Sequence, residues 1–304
     1  MVELWLLLLS ALVGGLCYFV PAKLPFLLPF VFNPIVFPAC LLLALWYWRG
    51  VKLLVEAKPG PVRQGFFWLG IIGVWFVLQT HFEYIAQHMF FLNRTQAVVL
   101  SMMAPFCAGI SWPGATLAAG APGWVSRAAL SVWRPMRFLS YPLAAMAVFI
   151  LTSDIWLIPS VHFDAMIDPA LYAVMNLSCL AGGVLFWMVA LDPRPKPPCR
   201  YSYLARAAAG FLVMFPQIAI GAYIALTTKD LFSFYELCGR LFPTISAQHD
   251  QLLGGLIMWI PPGMMNVAAL IITLNALRLA EMKAEEDFVP PKGAKIYEAK
   301  WTGR

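Results

Sequence analysis

Charged residues are scarce in this sequence of 304 residues: only 12% are Asp, Glu, Lys or Arg, whereas 61% are hydrophobic. A soluble globular domain has about 25% charged residues. The chain therefore lacks the polar residues needed to cover a water-facing globule of its size. This scarcity excludes a soluble enzyme, a secreted disulfide-stabilised domain and a disordered chain.

Other signals are missing as well. The six cysteines are scattered and no Cys-x-x-Cys motif occurs, so neither a disulfide framework nor a thiolate metal site is indicated. The first residues include Glu3 but no early Lys or Arg, so the basic segment of a signal peptide is absent and we expect a retained N-terminal helix.

Long apolar runs fill most of the remaining sequence, and runs of about 20 apolar residues indicate transmembrane helices. We predict an all-α, polytopic transmembrane bundle in which residues 1–278 form one domain and residues 279–304 form a charged cytoplasmic tail. The eight predicted spans are residues 4–21, 27–48, 65–91, 96–118, 138–157, 170–191, 207–227 and 251–277.

The basic residues predict the orientation. Of the 21 Lys and Arg residues, all but Lys23, Arg94, Lys229 and Arg240 fall in the tail or in the connections on the same side as the tail. Cytoplasmic loops carry such an excess, so we expect both termini in the cytoplasm. The net charge of +6 therefore requires no nucleic-acid partner.

All four histidines fall on the opposite side: His81, His88, His162 and His249. An ionisable side chain at a membrane span is a functional candidate, and imidazole with thioether ligands suits Cu(I). A plainer interpretation is that His88 makes an interhelical hydrogen bond and the methionines pack in the core. The candidate metal ligands are His81, His88, Met89, His162, His249 and Asp250, and further candidates for function are Tyr84, Met102, Met103 and Gln251.

His81 and His88 are seven residues apart in the predicted third span, and Tyr84 lies between them on the same helical stripe. The two imidazoles would be roughly 10 Å apart along the axis, too far to share one metal ion. We therefore expect a site that recruits ligands from several segments near the outer leaflet.

The segment 250–263 is the most unusual in the chain. We expect Asp250 to cap its own helix, and Gly254 and Gly255 to allow close helix packing. Pro261-Pro262-Gly263 is predicted to interrupt the helix and to create a buried crevice.

Four segments resemble the CtaG family of cytochrome c oxidase assembly factors, which are multispan bacterial membrane proteins. Asp250-Gln251 with Gly254-Gly255 and Met258-Trp259 is similar to the family signature. The segments from Gln87 to Met89, from Asp164 to Tyr172 and from Gly182 to Trp187 also agree. Two positions depart from the family pattern: Tyr84 replaces a histidine, and Met175-Asn176 replaces Glu-His.

Three residues match functional positions that the resemblance implies: His88, Asp250 and Gln251. It implies a non-enzymatic factor of the bacterial cytoplasmic membrane that helps to mature a haem-copper oxidase. Its implied cargo is copper, as Cu(I), on the extracytoplasmic side, and its implied partners are oxidase subunits and membrane lipid.

Three other functions stay open. The chain could be a redox subunit that binds quinone, or haem b between His88 and His249. It could be a metal-free structural partner of a respiratory complex. A transporter is disfavoured because we expect almost no charges inside the spans.

Overall fold

The computed structural model describes residues 2–286, apart from 21, 22, 24, 27, 29–31 and 198. The described residues form helices joined by short connections, with no β-strand among them. The predicted all-α class is confirmed. The α-helices are α1 (Val2–Phe19), α2 (Val36–Leu53), α3 (Pro61–Gln79), α4 (Phe82–Ala86), α5 (Phe90–Val98), α6 (Ala104–Ser111), α7 (Gly114–Gly120), α8 (Gly123–Trp133), α9 (Pro142–Asp154), α10 (Pro159–Ile167), α11 (Pro169–Ala190), α12 (Tyr203–Leu212), α13 (Met214–Leu226), α14 (Phe234–Leu237) and α15 (Ala247–Glu286).

Across the residues that the structure describes, six helical segments are long and apolar enough to cross a membrane: α1, α2, α3, α11, the α12–α13 stretch and α15. Two further segments are helix pairs bent by 77°, namely Phe90–Ser111 with α7 and Pro142–Leu157 with α10. Counting each bent pair as one span gives the eight that the hydropathy predicts. The predicted start of the second span at residue 27 lies outside the described residues, and α2 begins at Val36.

The predicted third span is wrong beyond residue 79, because the helix stops there. Thr80 has an extended backbone (φ −123°, ψ 176°). Its hydroxyl donates to the Phe76 carbonyl and accepts the Phe82 N–H, so the side chain ends α3 and starts the next turn. A second extended residue, Met89, separates α4 from α5. His81 and His88 therefore do not share one face of a continuous helix.

The predicted break in the last span is also wrong. α15 runs without interruption from Ala247 to Glu286 and contains Pro261 and Pro262. Proline has a helical φ of about −65°, so the chain continues through both residues although two backbone donors are lost. α15 extends past residue 278 into the predicted tail, and residues 287–304 lie outside the described residues.

The centre of the bundle is the segment Phe90–Ser111, which we call the fourth span. It consists of α5, a π-helical turn at Val99–Met103 and α6. α5 packs against α15, and α6 packs against both α3 and α11. Gly183 of α11 allows the contact with the fourth span, since a Cβ there would lie 2.3 Å from the Ser101 carbonyl oxygen. Its neighbour Gly182 allows close packing on α9, where a Cβ would lie 2.0 Å from Thr152 Oγ1.

α15 packs closely on α13, as the Gly254-Gly255 pair predicts. A Cβ on Gly255 would lie 2.6 Å from the Ala225 nitrogen and 2.7 Å from the Gly221 carbonyl oxygen. A Cβ on Gly254 would meet the Phe90 ring at 2.3 Å. The two glycines thus bring α15 against α13 on one side and against α5 on the other.

We expect Gly255→Ala to destabilise the protein by about 1–3 kcal/mol, the usual cost of overpacking, because backbone atoms of α13 must move. Gly263→Ala is the matched control in the same helix, since nothing lies within 4 Å of its added Cβ. Thermal unfolding in detergent measures both. Equal midpoints for the two variants would contradict the close packing of α13 and α15.

Candidate functional site

All four histidines lie at one end of the bundle, which we call the histidine end. It includes the C-terminal end of α3, the short helices α4, α10 and α14, and the N-terminal ends of α5, α11 and α15. The connections 54–60, 121–141 and 191–202, which carry seven of the 21 Lys and Arg residues, lie at the opposite end. The sequence-predicted grouping of the histidines at one end therefore holds at the level of topology.

Asp250 joins two segments of the histidine end. Its side chain is 1% exposed, and its carboxylate accepts the backbone N–H groups of Phe90 (3.0 Å) and Phe91 (2.8 Å). Arg240 also donates to this carboxylate at 2.7 Å. The prediction that Asp250 caps its own helix is wrong, because α15 begins three residues earlier. Asp250 instead caps α5, where a negative charge also complements the helix dipole.

Gln251 fixes the connection between α13 and α14. Its amide nitrogen donates to the carbonyls of Ile224, Thr227 and Lys229, and its amide oxygen accepts the Leu231 N–H at 2.9 Å. The side chain is 3% exposed. The adjacent signature residues Asp250 and Gln251 thus satisfy backbone groups in two different segments.

His162 is the only fully buried histidine of the four. Its Nδ1 lies 3.1 Å from the Trp156 carbonyl oxygen, and its Nε2 lies 2.9 Å from the Tyr235 hydroxyl. A carbonyl can only accept, so Nδ1 carries the hydrogen and Nε2 accepts from Tyr235. Both ring nitrogens are used in hydrogen bonds, and neither offers a free lone pair to a metal.

His88 has a different environment, because it is only half-buried, in the connection between α4 and α5. Its Nδ1 lies 2.8 Å from the carbonyl oxygen of Tyr84, whose ring packs beside the imidazole. Nδ1 must donate, which leaves the lone pair on Nε2. Among the described residues, Nε2 has no hydrogen-bond partner.

The other two histidines contact their own neighbours. His81 stacks on Phe26 and places Nδ1 3.2 Å from its carbonyl oxygen. His249 is exposed, and its Nδ1 lies 2.9 Å from the Ser246 hydroxyl.

The candidate methionines, Met89 as a ligand and Met102 and Met103 as further functional residues, differ in burial. Met89 is fully buried, and Met103 is 46% exposed. Met102 is also buried, and its sulfur accepts the Gln217 amide at 3.6 Å. Within the described part of the chain, no three His, Cys, Asp or Glu side chains are close enough together to hold a metal ion. The expected convergence of the candidate ligands on one pocket is therefore not seen.

The structure also reveals a polar site that sequence reasoning missed. Arg94, which we expected in an outer loop, lies inside α5 and is 2% exposed. It faces a cavity of about 40 Å³ that is also lined by Ser153 and Asp154. Arg94 Nε, Ser153 Oγ and Asp154 Oδ2 are buried without a hydrogen-bond partner among the described residues. The volume and the polar wall suit one or more bound waters.

This cavity corrects the expectation that the spans lack internal charges. The signal in the sequence is Asn93-Arg94-Thr95-Gln96, four polar residues that open the apolar run of the fourth span. A span that starts at residue 96 leaves Arg94 in a loop, whereas the helix begins at Phe90 and includes Arg94. Asn93 accepts a hydrogen bond from the Arg94 guanidinium. The Gln96 amide nitrogen donates to the Val77 carbonyl, and its amide oxygen accepts from the Tyr172 hydroxyl.

A family model described as cytochrome c oxidase caa3 assembly factor matches residues 44–278, well over half of the chain. The chain belongs to this family. No curated protein and no solved structure matches it. The family membership confirms the resemblance that the four segments indicate.

Three of the family-like segments meet around the fourth span. The segment that contains His88 leads into α5, where Phe90 contacts Gly254. The Asp250 carboxylate caps that helix from α15. Gly182-Gly183 packs against α9 and the π-helical turn of the same span. At the position of the family's Glu-His, Asn176 is buried within α11. The residues of these family-like segments therefore hold the start and the middle of the fourth span against their neighbours.

Glu83 lies in α4, outside the candidate spans. Burial raises its pKa to about 8, compared with an ordinary value near 4.5. A carboxyl group with a raised pKa binds its proton more tightly in the folded state. Its stabilising contribution is therefore complete below about pH 4.5 and is lost as the pH rises through about 8.

We expect Glu83→Gln to remove part of the pH dependence of stability. The variant should match the wild type near pH 5 and exceed its unfolding midpoint at pH 8, because glutamine stays neutral. Glu236→Gln, at an exposed position in α14, is the control. Thermal unfolding in detergent from pH 5 to 9 tests this, and parallel curves for wild type and Glu83→Gln would contradict it.

Proposed function

We propose that this protein promotes the maturation of a haem-copper cytochrome c oxidase by passing Cu(I) across its histidine end. The family is one of oxidase assembly factors, which suggests a non-catalytic role for this chain. The observation that carries the copper part of the proposal is the geometry of His88. Copper is treated as cargo that the protein takes up and releases.

His88 has the arrangement of a histidine ready to bind a metal. Metal-binding histidines almost always donate their second ring nitrogen to a carbonyl, carboxylate or water, which fixes the ring and its tautomer. The Tyr84 carbonyl has this role for His88 at 2.8 Å. Nε2 then presents its lone pair from a half-buried position that cargo can reach.

Cys238 supplies a soft donor near His88. It is exposed, and its sulfur lies 3.5 Å from the carbonyl oxygen of Gln87, the residue before His88. Thiolate and imidazole ligands suit Cu(I), whereas hard oxygen ligands do not. Two donors on an open face hold copper less firmly than a closed centre of more ligands, which favours release to a client subunit.

The proposed orientation follows the basic residues. The connections rich in Lys and Arg would face the cytoplasm, and the histidine end would face outside the bacterial cytoplasmic membrane. The chain is a multi-pass membrane protein, so its oxidase partners would meet it within or beside the bilayer. The alternative functions as a haem b or quinone protein, or as a metal-free partner, stay predictions. His162, the most buried imidazole, has both ring nitrogens in hydrogen bonds, so it offers no free lone pair to a haem iron.

We expect His88→Ala to lower assembled oxidase activity in membranes several-fold without changing the amount of this protein. Cys238→Ser should have the same direction of effect, and excess external copper should restore activity in both variants. Purified His88→Ala should also retain less Cu(I) than wild type in competition with a chelator.

His249→Ala is the matched control, because it removes an exposed imidazole from the same end of the bundle. It should leave oxidase activity and copper retention near the wild-type values. Wild-type oxidase activity and wild-type copper retention in His88→Ala would contradict the proposed role of this residue.

A further inference from the structure

A large apolar groove lies between α9 and α11, away from the histidine end. Its volume is about 1280 Å³, which exceeds the roughly 300–1,000 Å³ of most small-molecule sites. The α11 wall is apolar apart from Ser178, and Ala181 and Val184 on it are exposed. Trp133 and Met136 complete the groove near its basic end.

The length of the groove corresponds to one leaflet of a bilayer. It follows α11 from Leu177 to Val189, which at about 1.5 Å per residue is roughly 18 Å. The hydrocarbon core of a bilayer is about 30 Å thick, so one leaflet contributes about 15 Å. A transmembrane helix of a partner would need to continue well beyond the groove, whereas an acyl chain fits within it.

Basic side chains surround the end of the groove next to residues 191–202. Arg137 and Arg200 are exposed there, and neither has an ion pair with any other described residue. Arg194 is also exposed, and it pairs with Asp192 at 2.7 Å. With Arg206, this rim carries four arginines against one aspartate, which is an excess of positive charge.

The backbone of this rim is held in place. Arg206 is 1% exposed and donates to the carbonyls of Asp192, Arg194 and Ser202. The Tyr203 hydroxyl donates to the Pro193 carbonyl at 2.8 Å. Arg206 and Tyr203 thus fix the connection, and the exposed arginines remain available to a ligand.

We propose that this groove binds an anionic phospholipid, with its acyl chains along α11 and its phosphate between Arg137 and Arg200. Basic sites between transmembrane helices recognise anionic lipid headgroups in this way. The unpaired arginines favour a negative headgroup over a zwitterionic one. Arg194, which is ion-paired with Asp192, borders the same site.

The test adds phosphatidylglycerol, or phosphatidylcholine with the same acyl chains, to the full-length protein in detergent. Native mass spectrometry then measures how many lipid molecules of each kind are bound. Wild type should bind phosphatidylglycerol roughly 30-fold more tightly, or about fivefold for each of two arginines. Arg137→Gln/Arg200→Gln should lose most of this preference. Arg127→Gln/Arg134→Gln, which removes the same charge from exposed positions outside the groove, should keep it.

A second pair of variants tests the apolar part. Ala181→Trp fills the groove and should lower the amount of bound phosphatidylglycerol, whereas Val174→Trp, on α11 but outside the groove, should not. Equal binding of the two lipids by wild type would overturn the proposal. So would unchanged lipid binding in Ala181→Trp with loss of a co-purifying oxidase subunit, which would indicate a helix-docking surface instead.

Discussion

The hydrogen bonds from the Phe90 and Phe91 backbone to the Asp250 carboxylate hold the histidine end together. A buried carboxylate needs several donors to offset its loss of hydration, and Arg240 supplies the third. The same contact satisfies two free N–H groups at the start of α5. One side chain therefore fixes where the fourth span begins and how it lies against α15.

The rest of the site follows from that start point. Because α5 begins at Phe90, the preceding connection stays outside the helix and presents His88 at the surface, with Nδ1 bonded to Tyr84. One turn into α5, Arg94 is carried into the bundle, where it faces Asp154 across a small polar cavity. The capped start of α5 thus positions His88, a candidate copper donor, at the protein surface and the charged Arg94 inside the bundle.

Hydropathy predicts the spans well, because burial in lipid demands long apolar runs whatever the partners are. Helix breaks within the spans are harder to predict: the helix ends at Thr80, where no break is expected, and continues through Pro261, where a break is expected. The Thr80 hydroxyl ends α3 through local hydrogen bonds, whereas two prolines leave α15 continuous. Asp250 is a further example: a carboxylate near a helix start suggests a local cap, but the backbone N–H groups that it caps lie about 160 residues away in sequence. Only the tertiary structure brings those partners together.

Amide hydrogen exchange at Phe90 and Phe91 tests the central role of Asp250 most directly. In the wild-type protein, a peptide that contains these residues should exchange slowly. In Asp250→Asn it should exchange roughly 10-fold faster or more, because asparagine keeps only one acceptor oxygen. One of the two capping hydrogen bonds, worth about 0.5–2 kcal/mol, is then lost together with the ion pair to Arg240. Asp164→Asn, which removes an exposed carboxylate from α10, should leave exchange unchanged. Equally slow exchange in wild type and Asp250→Asn would contradict the account.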